Sequence, residues 1–146
     1  MANPARVEAV EQGADAIRER VEDARLLWTA RRREGAFLMA LVAVAARARK
    51  DYPQPTSDRD AFERFVKSRF RPRISVESCG ELQALERVFY KWMRCKLVHE
   101  GGLPVDLRFK ESAEPGELGV RAGGALEYIL LVSPDWFEQL IAWALS

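Results

Sequence analysis

The 146-residue sequence predicts a mainly α fold, an up-and-down helical bundle with a small antiparallel β-meander before a C-terminal helix. Apolar residues recur at three- and four-residue spacing through most of the first hundred positions, as on the buried face of amphipathic helices. After Gly101-Gly102 the spacing changes to two, which is typical of strands. A chain of this length forms one ordinary domain. We therefore predict a single domain over 1–146, with a β appendage at about 103–132.

The first helix is predicted over residues 4 to about 31, after the N-cap sequence Asn3-Pro4. Its apolar residues form one continuous stripe at helical spacing. The members of this stripe are Val7, Val10, Ala14, Ile17, Val21, Ala24, Leu27 and Trp28. We expect the stripe to face the core of the bundle.

Two more helices follow the polar segment around Gly35. The second, about 35–50, is rich in alanine and apolar on most sides, so we expect it to be the most buried element. It ends before Pro53 and Pro55, because proline lacks the N–H that a helix needs. The third, about 59–70, has an apolar and a basic side and is capped by Ser57 or Asp58.

A connection over residues 71–78 leads to a longer fourth helix. Ser78 and Glu81 have the S-x-x-E spacing of a capping box, in which each side chain bonds a backbone N–H at the helix start. The helix is predicted to continue to about Val98. Gly101-Gly102 ends it, since glycine is the usual residue just past a helix terminus.

The remaining segment is predicted to contain three strands and one helix. Short alternating or apolar stretches at 105–109, 117–121 and 126–132 are typical strands, and Gly123-Gly124 would join the last two as a hairpin. A final helix begins after Ser133-Pro134. Such short strands need support from the helices, because an isolated hairpin is only marginally stable in water.

Composition excludes several classes of protein. The longest apolar run, Ala36 to Ala46, is too short to span a bilayer, and no secretory signal segment opens the sequence. Cys79 and Cys95 are too few for a disulfide framework or a four-cysteine zinc site. We therefore expect a cytoplasmic protein with no membrane partner.

Positive charge is concentrated in the first half of the chain. Residues 1–73 carry a net charge of +5 and residues 74–146 a net charge of −4, which agrees with +1 for the whole chain. Clusters of basic side chains are candidates to bind the phosphates of RNA. The candidate RNA-binding residues are Arg31, Arg32, Arg33, Arg64, Lys67 and Arg69. The alternative is that these helices only present a solvated basic face.

Arg94 and His99 are the strongest candidates for catalysis. The sequence has one histidine, so sites with two histidine ligands are excluded, and we expect no metal and no cofactor. Arginine binds phosphate oxygens with two parallel hydrogen bonds, and histidine exchanges a proton near neutral pH. The pair suits cleavage of RNA by its own 2′-hydroxyl, with His99 as general acid/base and Arg94 offsetting charge on the phosphoryl oxygens.

The spacing of this pair does not by itself form a site on one helix. Five positions at roughly 100° each separate the two side chains by about 140° around an ideal helix. Either the helix frays at His99, beside Gly101-Gly102, or a second copy of the helix completes the site. A purely structural alternative is that His99 caps the helix while Arg94 pairs with Glu86 or Asp106.

The segment from Phe89 to Gly101 resembles the motif helix of HEPN domains, whose motif is Arg, four to six residues, then His. The residues that carry the resemblance are Phe89-Tyr90, Arg94-Cys95, Leu97 and His99-Glu100-Gly101. The resemblance implies a helical bundle that dimerises along its motif helices, with Arg94 and His99 facing a shared cleft. Active members of that superfamily are metal-independent endoribonucleases, common as toxins and in defence against phage.

Other HEPN members bind RNA or nucleotides without cutting, or serve as partners of nucleotidyltransferase-like proteins. Many active members have Asn, Asp or His directly after the motif arginine, where this chain has Cys95. We therefore expect an endoribonuclease for single-stranded RNA, with a homodimer, RNA and an antitoxin or nucleotidyltransferase-like protein as partners. Cys95, Lys96 and Glu100 are secondary site candidates. The alternatives are a non-catalytic binding module and a structural domain.

Overall fold

A computed structural model describes residues 4–70, 75–78, 81–91, 107–109, 120–122 and 130–146. The order of elements is α1 (Pro4–Thr29), α2 (Arg33–Asp51), α3 (Asp58–Arg69), β1 (Ser75–Ser78), β2 (Glu81–Ala84), α4 (Leu85–Lys91), β3 (Leu107–Phe109), β4 (Val120–Ala122), β5 (Leu130–Val132) and α5 (Asp135–Leu145). The predicted mainly α fold, a bundle of packed helices with strands before the last helix, is confirmed. Within these ranges no helix is both long and apolar enough to cross a membrane.

Helices α1 and α2 form an antiparallel hairpin around the predicted stripe. Ile17, Val21 and Ala24 are at most 5% exposed, as the stripe predicts. The stripe is longer than the helix that covers it, however, since α1 has 26 residues and α2 has 19. A Cβ atom added to Gly13 would lie 4.0 Å from Cε of Lys50, next to the last residue of α2. The first turns of α1 therefore project beyond α2, and Val7 is 43% exposed.

Helices α2 and α5 supply much of the core. The buried residues of α2 are Ala36, Phe37, Ala40, Leu41, Ala43, Val44 and Ala48. Its alanines allow neighbouring helices to approach closely, while Phe37 and Leu41 fill the space between them. The buried residues of α5 are Trp136, Phe137, Leu140, Ile141, Trp143 and Ala144. Each large apolar side chain removed from water in this way contributes about 1.5–3 kcal/mol of transfer free energy.

An aromatic cluster centred on Trp136 joins three parts of the chain. The ring centroid of Trp136 lies 5.3 Å from that of Phe70 and 5.3 Å from that of Phe89, both in edge-on arrangements. Trp143 completes the cluster at 6.1 Å. Edge-to-face pairs place the positive edge of one ring on the negative face of another. The cluster thus fixes the end of α3, helix α4 and helix α5 relative to one another.

Helix α3 is anchored to the last turn of α2 at both of its ends. At its start, Arg49 ion-pairs with Asp58 and donates to the carbonyl oxygens of Tyr52 at 3.2 Å and Thr56 at 2.6 Å. At its end, Arg69 lies 3.6 Å from the carboxylate of Asp51.

The N-terminus of α3 also has the predicted cap. Ser57 precedes α3 and accepts a hydrogen bond from the N–H of Asp60 at 3.1 Å, so of the two predicted capping residues Ser57 is the one used. This bond satisfies one of the free N–H groups at the helix start. The same serine has extended backbone angles, as an N-cap residue should.

The predicted start of the fourth helix at Ser78 is wrong. Residues Ser75–Ser78 and Glu81–Ala84 pair as an antiparallel hairpin in which Ser78 lies opposite Glu81. Two residues, Cys79 and Gly80, stand between these strands in the sequence and lie outside the described residues. The hairpin thus uses the same residues that suggested a capping box. Helix α4 begins only at Leu85.

Three strands lie in the predicted appendage, but they do not form a meander. Their order is β3-β5-β4, with β5 antiparallel to β4 and parallel to β3. Ala122 lies opposite Leu130, a register that a two-residue turn at Gly123-Gly124 would not give. Residues 123–129 themselves lie outside the described residues. A period of two predicts that a segment is a strand but not which strand it pairs with, which is why the parallel pair was missed.

Candidate functional site

The segment from Arg94 to Glu100 lies outside the described residues. This applies to both predicted catalytic residues, Arg94 and His99, and to the secondary candidates Cys95, Lys96 and Glu100. Asp106, one of the two predicted alternative partners of Arg94, also lies outside. The structure does describe helix α4, whose last residue, Lys91, stands three positions before Arg94.

Helix α4 is held by aromatic contacts on its buried side. Phe89 is fully buried, with its ring 6.1 Å from Phe37 and 5.3 Å from Trp136. Tyr90 lies 5.7 Å from Phe62 of α3. Phe89 and Tyr90, the aromatic pair in the predicted motif helix, therefore have a packing role in the core.

Two ion pairs connect the other side of α4 to α3. Glu63 of α3 is 13% exposed and lies 3.6 Å from Arg87 and 3.1 Å from Arg59. Glu86 of α4 is also 13% exposed and lies 3.5 Å from Lys67. Glu86, the other predicted alternative partner of Arg94, thus pairs with Lys67. In one pair the acidic residue lies on α3, and in the other it lies on α4. This arrangement favours one alignment of α4 on α3, because a shift would bring like charges together.

The predicted RNA-binding residues of α3 differ in their surroundings. Arg64 is exposed and has no carboxylate within ion-pairing distance in the described ranges. Lys67 is 63% exposed but pairs with Glu86. Arg69 lies 4.9 Å from the ring centroid of Phe65 and 3.6 Å from Asp51. Of these three cations, only Arg64 is without a partner of this kind.

The predicted cluster Arg31–Arg33 lies at the corner between α1 and α2. Arg33 is half-buried, with its guanidinium 5.6 Å from the ring centroid of Trp28. Trp28 in turn stacks on Phe137, with centroids 4.3 Å apart and an interplanar angle of 3°. Such a cation–π contact is worth about 0.5–2 kcal/mol. Arg33 is therefore engaged in packing, whereas Arg31 and Arg32 are exposed.

The end of α1 is closed by two backbone hydrogen bonds. The N–H of Arg32 donates to the carbonyl of Leu27 at 2.8 Å, and the N–H of Arg31 donates to that of Trp28 at 3.0 Å. This is the Schellman pattern, which requires a left-handed residue after the helix. Arg31 fills that position, with φ of 59°. Glycine is the usual residue there because it has no Cβ.

We predict that Arg31→Gly raises the free energy of unfolding by about 1 kcal/mol, because it removes the cost of a left-handed side-chain-bearing residue. Urea denaturation of the variant and the parent chain measures this difference. Arg31→Ala is the matched control, since alanine keeps the Cβ and should not stabilise. Equal stability of the two variants would contradict the prediction.

Sequence reasoning missed two features of these surroundings. The stacking of Trp28 on Phe137 joins residues more than a hundred positions apart in the chain, so no local pattern indicates it. Arg25, by contrast, was detectable: it opens a stretch, 25–33, that contains four arginines and no acidic residue. Groups of three or more metal-binding side chains were not found in the described part of the chain.

The chain matches the Rv1289 family model over residues 16–124. The match covers more than half of the chain, from the middle of α1 to beyond β4. The chain belongs to the Rv1289 family. The matched region of this family includes both basic clusters and the segment from Arg94 to Glu100, and nothing links the family to HEPN domains. Comparisons with curated proteins and with solved structures give no match.

Proposed function

We propose that this Rv1289-family protein is a HEPN-type, metal-independent endoribonuclease that cleaves single-stranded RNA through Arg94 and His99. The observation that supports it is the rigid mounting of α4. Its aromatic pair packs on α2, α3 and α5, and two ion pairs align it on α3. Arg94 stands three positions after this helix in the sequence, and the positioning of a phosphate requires a rigid support of this kind.

The proposed reaction needs only the RNA and two side chains. The 2′-oxygen of a ribose bonds to the adjacent phosphorus, and the bond from phosphorus to the 5′-oxygen breaks. His99 takes the proton from the 2′-hydroxyl and returns it to the departing 5′-oxygen, so that no proton is gained or lost overall. Arg94 hydrogen-bonds the phosphoryl oxygens as their negative charge rises. The products are a 2′,3′-cyclic phosphate and a free 5′-hydroxyl.

The proposed assembly is a homodimer in the cytoplasm. Since five helical positions separate Arg94 and His99 by about 140°, a second protomer would supply the residue that one helix cannot bring to the same cleft. We also propose a role as a toxin or in defence, because the motif resembles that of HEPN domains with such roles. Its partner would be an antitoxin or a nucleotidyltransferase-like protein.

The direct test is cleavage of single-stranded RNA in the presence of EDTA. We expect the parent chain to produce 5′-hydroxyl ends, and Arg94→Ala and His99→Ala each to lower the rate about 10²–10⁴-fold, the usual contribution of a positioned acid or base. Arg18→Ala is the control, because Arg18 is exposed and, within the described residues, its ion pair is with Asp15. Cleavage that survives both site substitutions would sink the proposal.

A non-catalytic RNA-binding module is the second candidate, and one observation favours it. Cys95 replaces the polar residue that many active HEPN members have after the motif arginine. This candidate predicts RNA binding with no product, under conditions in which the nuclease would cut.

A further inference from the structure

The corner between α1 and α2 presents two exposed arginines, Arg31 and Arg32, which we call the arginine corner. No carboxylate in the described ranges lies within ion-pairing distance of either side chain. Most arginines elsewhere in those ranges do have such a carboxylate. The paired arginines are Arg18, Arg20, Arg47, Arg49, Arg59, Arg69 and Arg87.

Arg6 and Arg64 are also exposed without a carboxylate at ion-pairing distance in the described ranges, but each stands alone among the described residues around it. Arg31 and Arg32, by contrast, are consecutive in the chain. The corner therefore brings two unpaired positive charges together, among the residues whose side chains the structure describes.

Helix dipoles do not account for this arrangement. The C-terminus of α1 attracts cations, but the N-terminus of α2, which begins at Arg33, repels them. The two ends meet at the corner, so their effects on Arg31 and Arg32 oppose each other. Arg31 also occupies a left-handed position at which glycine would be less strained. Neither the backbone nor a neighbouring acid therefore explains arginine at this position.

We propose that the arginine corner binds the phosphate backbone of single-stranded RNA. This inference rests on the proposed function for the choice of RNA as partner. A guanidinium group forms two parallel hydrogen bonds to phosphate oxygens, and it does so best when no carboxylate already occupies it. The backbone hydrogen bonds of Arg31 and Arg32 fix the origin of both side chains. We do not include Arg33 in this phosphate-binding role, because its guanidinium lies over the ring of Trp28.

The experiment measures binding of a single-stranded 2′-O-methyl RNA, which lacks the attacking hydroxyl and cannot be cut by the proposed reaction. The corner variant is Arg31→Gly with Arg32→Ala. Glycine is chosen because it should make the chain more stable, so that weaker binding cannot result from unfolding. The control variant, Arg18→Ala with Arg59→Ala, removes the same charge from exposed arginines elsewhere.

We expect the corner variant to bind about tenfold more weakly in dilute salt, and its slope of log affinity against log salt to fall by about 1.4, since each phosphate contact on single strands contributes about 0.7. The control should lose much less. Equal losses in the two variants, or no binding by the parent chain, would overturn the inference.

Cleavage of unmodified RNA by the parent chain is measured in parallel, which separates this inference from the proposed function. If the corner variant binds RNA more weakly and the parent chain cleaves no RNA, the inference is supported and the proposed nuclease activity is contradicted. If the parent chain cleaves RNA and the corner variant binds RNA as tightly as the parent chain, the inference is overturned, whereas the proposed nuclease activity is supported.

Discussion

Replacing Trp136 by alanine is expected to lower the free energy of unfolding by about 3–5 kcal/mol, the usual range for a fully buried aromatic residue. Trp136 has no exposed surface, and its ring contacts Phe70, Phe89 and Trp143. The substitution leaves a cavity where the end of α3, helix α4 and helix α5 meet. Small domains are stable by only about 5–15 kcal/mol, so a loss of this size moves the midpoint of unfolding to much lower urea, and urea denaturation measures the difference.

A second substitution at Trp136 separates volume from hydrogen bonding. The indole Nε1 of Trp136 is buried and has no hydrogen-bond partner among the residues that the structure describes. Trp136→Phe removes this unpaired donor, whose burial costs about 1–3 kcal/mol. This gain in stability partly offsets the stability lost with the smaller side chain. We expect its effect to be less than about half that of alanine. Leu145→Ala, at a 47% exposed position of the same helix, is the control, and a loss there as large as for Trp136→Ala would contradict the prediction.

The helices were predictable because their causes are local. The stripe that includes Ile17, Val21 and Ala24 follows from the helical period, and these residues are buried as expected. Ser57 caps α3 through a bond to a residue three positions away. Pro53 and Pro55 follow the end of α2 because proline cannot continue a helix. Each of these relationships spans a few residues, so the sequence alone contains it.

The errors occurred where distant residues or competing local structures decide the outcome. The S-x-x-E pattern at Ser78 fits a helix cap, but the same residues fit a hairpin, and the hairpin forms. The parallel partner of β5 is β3, more than twenty residues earlier, which no local pattern specifies. Val7 belongs to the predicted stripe yet is 43% exposed, because α2 is too short to cover it.

The candidate site shows the same division. Residue types and spacing identified Arg94, His99 and the basic clusters from the sequence. Which cations are available depends on tertiary contacts: Lys67 meets Glu86 across two helices, and Arg33 lies on Trp28. Charge clusters in a sequence therefore overestimate the basic surface wherever helices pack acidic residues against it. Arg31 and Arg32 remain the exposed members of their cluster.

Mixing the Arg94→Ala and His99→Ala chains is expected to restore about a quarter of the parent cleavage rate, although each variant alone is inactive. The reason is the proposed two-fold dimer, in which each site takes Arg94 from one protomer and His99 from the other. In a mixed dimer one site has lost both residues, whereas the other has both intact. Random exchange makes about half of the dimers mixed, and about half of their sites are active. Cleavage of single-stranded RNA in EDTA, after the chains have been allowed to exchange, measures the recovery.

The control is a mixture of the parent chain with a chain that carries both substitutions. There each mixed dimer has two damaged sites, one without Arg94 and one without His99, so activity falls below the simple dilution of parent chain. The two mixtures thus give opposite results only when the site is shared. If the single variants do not complement each other while the parent dimer cleaves RNA, Arg94 and His99 act within one protomer. The fraying of the helix near His99 would then have to bring the two side chains together, because an ideal helix keeps them about 140° apart.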